Sequence, residues 1–148
     1  GVVWVEVKVR KAGSRDEVSI RAFINGGFRA GRATINLPAP LAELLGFDVR
    51  GAGLSRDYTV AGGGRPPVRD LGDVEVKIVV PDRDTEWLRA HAICVEGEDE
   101  ALISRELAGL MRIEESYSRS AWRFEDDPPG TYRPEARPQY WAVGERRG

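Results

Sequence analysis

The sequence predicts a mainly β domain with two short helices and a C-terminal extension. Apolar residues alternate at Val3, Val5, Val7 and Val9, at Val18, Ile20, Ala22 and Ile24, and at Val74, Val76, Ile78 and Val80. A period of two marks strands with one buried face. Helical spacing is confined to two short stretches, around Leu41-Leu44-Leu45 and over residues 102–111. Clusters of Gly, Pro, Asp and Ser punctuate the chain between them.

Residues 3–10 read as the first strand. Residues 11–17, with Gly13-Ser14 and Asp16, turn the chain into the second, which Asn25-Gly26-Gly27 interrupts. Ala33, Ile35 and Leu37 alternate again. Pro38 and Pro40 suit the entry of a helix and Gly46 its exit, so residues 38–47 form two to three amphipathic turns. Residues 48–60 have room for a short strand or two. Gly62-Gly63-Gly64-Arg65-Pro66-Pro67 is a loop, because that run suits neither a strand nor a helix interior. Residues 74–80 and 87–95 are strands separated by a turn at Pro81-Asp82-Arg83-Asp84. Residues 102–111 are the second helix, and Arg112-Ile113-Glu114 closes the sheet. Most pairings should be antiparallel.

This divides the chain into a β domain at 1–114 and an arm at 115–148. The arm holds Tyr117, Trp122, Phe124, Tyr132, Tyr140 and Trp141, half of the aromatic residues, together with four prolines. Disordered segments are poor in aromatics, so the arm is expected to pack on its own core or on a second subunit.

Composition narrows the chemistry. The chain has 148 residues, 22 basic and 24 acidic, for a net charge of −2. That balance argues against a generic polyanion binder and hence against nucleic acid. A single Cys excludes an internal disulfide, and one Cys with one His leaves no basis for a metal centre or cofactor built on those ligands. No apolar run is long enough for a membrane helix. The opening residues read as a strand rather than a signal segment, and with low Cys usage the expected location is cytoplasmic. Lys occurs only at 8, 11 and 77, and Asn only at 25 and 36. Scarce Asn, Gln, Cys and Met beside many ionic residues is a thermophile-like balance; a GC-rich genome produces the same excess of Arg.

Ala22-Phe23-Ile24 running into Asn25-Gly26-Gly27, the Leu37-Pro38 and Leu41-Ala42-Glu43-Leu44-Leu45-Gly46 segment, and Leu102-Ile103-Ser104-Arg105-Glu106-Leu107 occur in an order that resembles the retropepsin-like aspartic protease family. The resemblance covers residues 3–114. It implies an acid-protease β-barrel, a homodimer with a cleft across its two-fold axis, and a flap at Gly62, Gly63 and Gly64. It places Asn25 at the position of the family's catalytic Asp, followed by Gly26 and Gly27, and Leu102, Ile103 and Ser104 at the second loop motif. Gly26 stands where the family has Thr or Ser, and Ser104 where it has Gly.

In that family two carboxylates share a proton and activate a water. An Asn amide can hold a water but cannot act as a carboxylate base, so the resemblance implies an inactive or impaired peptidase whose cleft binds an extended peptide by strand addition. Two further readings stand beside it. The chain is an active aspartic peptidase if Asn25 replaces an original Asp, or if Asp48 or Asp73 enters the cleft. It is a non-enzymatic β module if Asn25-Gly26 is an ordinary hairpin turn, for which Asn-Gly between alternating runs is the strongest short signal. Asn-Gly is also prone to deamidation, which would supply the missing carboxylate. Elsewhere, His91 and Cys94 fall on opposite faces of a strand, Asp82, Asp84 and Glu86 lack the rest of a calcium loop, and the glycine run is no phosphate loop.

Overall fold

A computed structural model describes residues 2–55 and 66–144. β1 (Val2–Lys11) and β2 (Glu17–Asn25) form an antiparallel hairpin in which Val3 faces Ile24 and Val9 faces Val18. Val3, Val5, Val7 and Val9 are buried on one side of β1, and Ile20, Ala22 and Ile24 on one side of β2. Burying a Val or Ile side chain contributes about 1.5–3 kcal/mol, so this alternation is enough to set the register.

β3 (Thr34–Asn36), α1 (Ala39–Leu44), β4 (Gly53–Ser55), β5 (Val68–Ile78), β6 (Leu88–Val95), β7 (Leu102–Ile103), α2 (Arg105–Leu110) and β8 (Ile113–Ser116) follow. The strands make a seven-stranded sheet in the order β1-β2-β7-β3-β6-β5-β4, and an added β1–β5 pairing closes it into a barrel. Leu41 of α1 and Leu107 of α2 are fully buried against the barrel's main core.

Three sequence expectations are corrected. Residues 102–111 are not one helix: Leu102 and Ile103 are a strand, and α2 begins only after Ser104. β5 starts at Val68, well before the alternation indicated, because a bulge between Asp70 and Gly72 breaks the period; Gly72 there has φ +112°. Two pairings are parallel, β2 with β7 and β3 with β6. The predicted flap glycines, Gly62, Gly63 and Gly64, lie outside the described residues. The hairpin that leads to them is present, with Gly53 facing Asp70 and Ser55 facing Val68. No helix among the described residues is long and apolar enough to cross a membrane.

After β8 the chain forms β9 (Ala121–Phe124) and β10 (Arg133–Pro134), which with β8 make a second sheet in the order β10-β9-β8. Residues 135–141 then cross back over the first hairpin. Ala136 N donates to Trp4 O at 2.8 Å, Arg21 N donates to Gln139 Oε1 at 2.8 Å, and Trp141 N donates to Asp99 O at 2.8 Å. The Tyr140 ring meets Trp4 edge-on at 5.9 Å. This explains why Trp4, on the polar side of the β1 alternation, is only 5% exposed.

An ionic clasp fastens this return. Asp127, its side chain 3% exposed, accepts from Phe124 N at 2.8 Å, from Arg83 at 2.8 Å and from Arg133 at 3.1 Å. Arg133 also pairs with Asp82, and Arg83 with Asp126. The Asp82–Asp84 stretch is thus a turn whose first acid is committed to Arg133. Burial pulls the Asp127 carboxyl upward, but the Phe124 N–H, Arg133 and Arg83 outweigh it and hold it below the ordinary range. The bonds from Arg133 and Arg83 do the same for Asp82 and Asp126. Groups depressed in the folded state stabilise it above their unfolded pKa, and that stabilisation is lost as pH falls through the folded values. Protection of the amides within residues 133–141, taken relative to the intrinsic exchange rate at each pH, is therefore expected to hold from neutral pH to about pH 5 and to fall below about pH 4.

Candidate functional site

β7 lies between two strands that are consecutive in sequence. On one side it runs parallel to β2, with Phe23 facing Leu102 and Ile24 facing Ile103. On the other it is antiparallel to β3, with Ile35 facing Ile103 and Asn36 facing Leu102. The loop from 26 to 33 must therefore pass around the end of β7. Asn25 is the last residue of β2, at the start of that crossing.

The crossing is not a two-residue hairpin. β2 and β3 do not pair with each other, and neither Asn25 nor Gly26 has the positive φ of a type I′ turn. Asn25 instead makes a local turn: its Oδ1 accepts from Gly27 N at 3.0 Å and its backbone O accepts from Phe28 N at 3.0 Å. Phe28, 3% exposed, plugs into Val68, Ile93, Val95 and Leu102.

The first turn of α2 holds the rest of the loop. Arg105 N donates to Phe28 O at 2.9 Å, and the Glu106 carboxylate accepts from Ala30 N at 3.1 Å and Gly31 N at 3.0 Å. Gly31 has φ +77°, a conformation that favours glycine. Partial burial pulls the Glu106 carboxyl upward, but the N–H groups of Ala30 and Gly31 and the Ser104 hydroxyl together hold it below the ordinary range.

Ser104 is fully buried at the N-cap of α2. Its Oγ accepts from Thr34 N at 3.0 Å and from Leu107 N at 3.1 Å, and its own N–H donates to Thr34 O at 3.0 Å. A glycine at this position would supply none of the side-chain bonds. Ser104→Ala removes a cap, worth about 1 kcal/mol, and leaves the buried Thr34 N–H without an acceptor, at about 1–3 kcal/mol. Chemical denaturation is expected to show a loss of about 3 kcal/mol with an unchanged denaturant slope.

A groove of about 500 Å³ runs along this loop, lined by Ile24, Gly26, Arg105, Ala108, Gly109, Ile113 and Glu115. It is bounded by the end of β2, by α2 and by β8. The structure thus brings Asn25, Gly26 and Gly27 together with Leu102, Ile103 and Ser104 through the strand pairing and the first turn of α2.

Of the other carboxylates considered, Asp48 accepts from Gly51 N at 3.1 Å within its own turn. Asp73 lies on β5 beside Arg89 and 3.6 Å from His91 Nδ1. Nε2 of the buried His91 faces Asp70 without hydrogen-bond alignment. Cys94 is buried, and burial pushes its thiol up to about 11, away from reactivity. Glu106 and Thr34 were not apparent as site residues from the sequence. An acid in the first turn after a Ser cap was the available signal for Glu106, but its backbone partners lie 75 and 76 residues away.

No family model matches the sequence, and no curated protein matches it. Among solved structures, the chain is similar to the crystal structure of the retroviral protease-like domain of Ddi1 from Leishmania major. The TM-score is 0.52 at 13% identity, covering 92% of this chain and 94% of that one. The fold is retropepsin-like: mainly β, barrel-shaped, with two short helices.

Proposed function

We propose that this chain is a proteolytically silent retropepsin-fold protein that binds extended peptide in a cleft between two copies, with Asn25 in the place of the catalytic carboxylate. The observation that supports the reading is the position of Asn25: the end of β2, beside the two-residue strand β7, on a loop whose backbone is tied to α2. A catalytic group needs such a rigid mount. In the retropepsin-like family this loop carries the Asp of a dyad shared across the two-fold axis.

With an amide from each copy, the cleft could orient a water or a peptide carbonyl, but it would lack the base that takes the water's proton. The hairpin of β4 and β5 would cover the bound segment and contribute strand-type hydrogen bonds. The test pairs saturable binding of extended peptides by the wild-type chain with absence of their cleavage at acid and neutral pH. Cleavage by the freshly purified wild-type chain, with Asn25 still an amide by mass, that is abolished in Asn25→Ala would overturn the reading in favour of a live peptidase.

A further inference from the structure

We propose that Asn25 is a self-modification site, at which the folded chain converts an amide to a carboxylate. The step needs only water. The Gly26 backbone nitrogen gives up its proton to solvent base and attacks Asn25 Cγ; the C–Nδ2 bond breaks and ammonia leaves, closing a five-membered succinimide. Water then adds to either ring carbonyl, breaks its bond to the ring nitrogen, and leaves an aspartyl residue at this position or its isoaspartyl isomer. Overall, amide and water give carboxylate and ammonia, with no change of oxidation state.

Three features of the site favour the attack. Gly26 has no side chain to obstruct the approach of its nitrogen to Cγ. Gly27 N–H donates to Asn25 Oδ1 at 3.0 Å, which polarises the amide and stabilises the charge that develops on that oxygen. Among the described residues no hydrogen bond holds the departing Nδ2, and Asn25 is only half-buried, so water and ammonia can exchange there.

The chain's only other asparagine is a built-in control. Asn36 is fully buried, its Nδ2 donates to Glu100 O at 2.9 Å, its Oδ1 accepts from Val95 N at 2.8 Å, and it is followed by Leu37. Both amide oxygens accept a backbone N–H, but at Asn36 the bound Nδ2, the full burial and the following Leu37 side chain each oppose the attack. On the reading of Asn25 as the dyad position, the aspartyl product gains the side-chain carboxylate that the encoded chain lacks, the isoaspartyl product does not, and the site becomes a timer for activity.

The test is to hold the full folded chain at neutral and mildly alkaline pH at physiological temperature, and to map its tryptic peptides over weeks. The expected result is a gain of one mass unit in peptide 22–29. The gain should be faster at the higher pH, absent from peptide 33–50, and suppressed in Gly26→Ala, a variant chosen since Gly26 is not among the positive-φ glycines. An unchanged peptide 22–29 in the folded chain, while the same peptide converts in the denatured chain, would overturn the proposal. So would equal conversion of peptide 33–50. Chromatographic separation of the aspartyl from the isobaric isoaspartyl peptide, with peptide hydrolysis followed in the same samples, separates the two ideas: aspartyl product without new hydrolysis keeps the modification and removes the dyad reading.

Discussion

Asn25→Asp is expected to raise peptide hydrolysis over the freshly purified wild-type chain by ~10²–10⁴-fold, the range a positioned acid–base group contributes. That is about 3–5.5 kcal/mol of barrier. The substitution keeps the local geometry, because a carboxylate oxygen can accept from Gly27 N–H as the amide oxygen does. Two such carboxylates facing each other cannot both ionise freely, so one proton is shared and the rate is expected to be bell-shaped in pH with its maximum on the acid side. Stability should change by less than about 1 kcal/mol, since Asn25 is half-buried. Initial rates on an extended-peptide library across pH check both statements. A flat, wild-type rate in Asn25→Asp would count against Asn25 as the dyad position.

The same change at the other asparagine should do the opposite. Asn36 bridges β3 to the Val95 N–H at the end of β6 and to the Glu100 carbonyl, both from a fully buried position. Asn36→Asp keeps an acceptor for Val95 but turns a second oxygen towards the Glu100 oxygen, burying a charge without a partner. The expected loss at neutral pH is about 3 kcal/mol or more. Burial and the facing carbonyl raise the pKa of the new carboxyl in the folded state. The penalty is therefore largest at high pH and shrinks as pH falls through that raised value, where the protonated acid can donate to Glu100 O. Denaturation midpoints in neutral and mildly acid buffer read this directly. A midpoint equal to wild type at neutral pH would mean that Asn36 does not hold β3 to β6.

Contact range decided which parts of this fold could be read from the sequence. β1, β2 and β6 could be read, because each has one apolar side or a near-continuous apolar run over eight to ten residues. The start of β5 could not, because its bulge shifts the period at Asp70 and Gly72. β7 could not either: two residues carry no periodicity, and Leu102-Ile103 runs directly into the apolar face of α2. The parallel pairings of β2 with β7 and β3 with β6 depend on partners far apart in the chain, which no local pattern encodes.

The site was legible in a similar, partial way. Asn25 and Ser104 stood out by their place in the order of segments. The local Asn-Gly signal favoured a hairpin, and the structure rejects it. Asn25 O and Oδ1 are used within a turn that Phe28, Arg105 and Glu106 hold open around β7, so β3 is delivered to the far side of that strand instead of back against β2. Tertiary anchoring has overridden a short-range preference. Trp4 shows the same logic at the other end of the molecule. It alternates out of the core by period, yet it is buried because the return of residues 135–141 lies over it.

The proposed cleft requires two copies of Asn25 to meet across a two-fold axis, and a cross-link at that position tests this most directly. The chain's only cysteine, Cys94, is buried with its thiol pushed up to about 11, so it will not compete. A disulfide requires Cα atoms within about 4.4–6.8 Å. Under mild oxidation Asn25→Cys is expected to give a reducible dimer in high yield, with native-like stability. A chain that stays monomeric after oxidation, with its new thiol still titratable, would contradict the account.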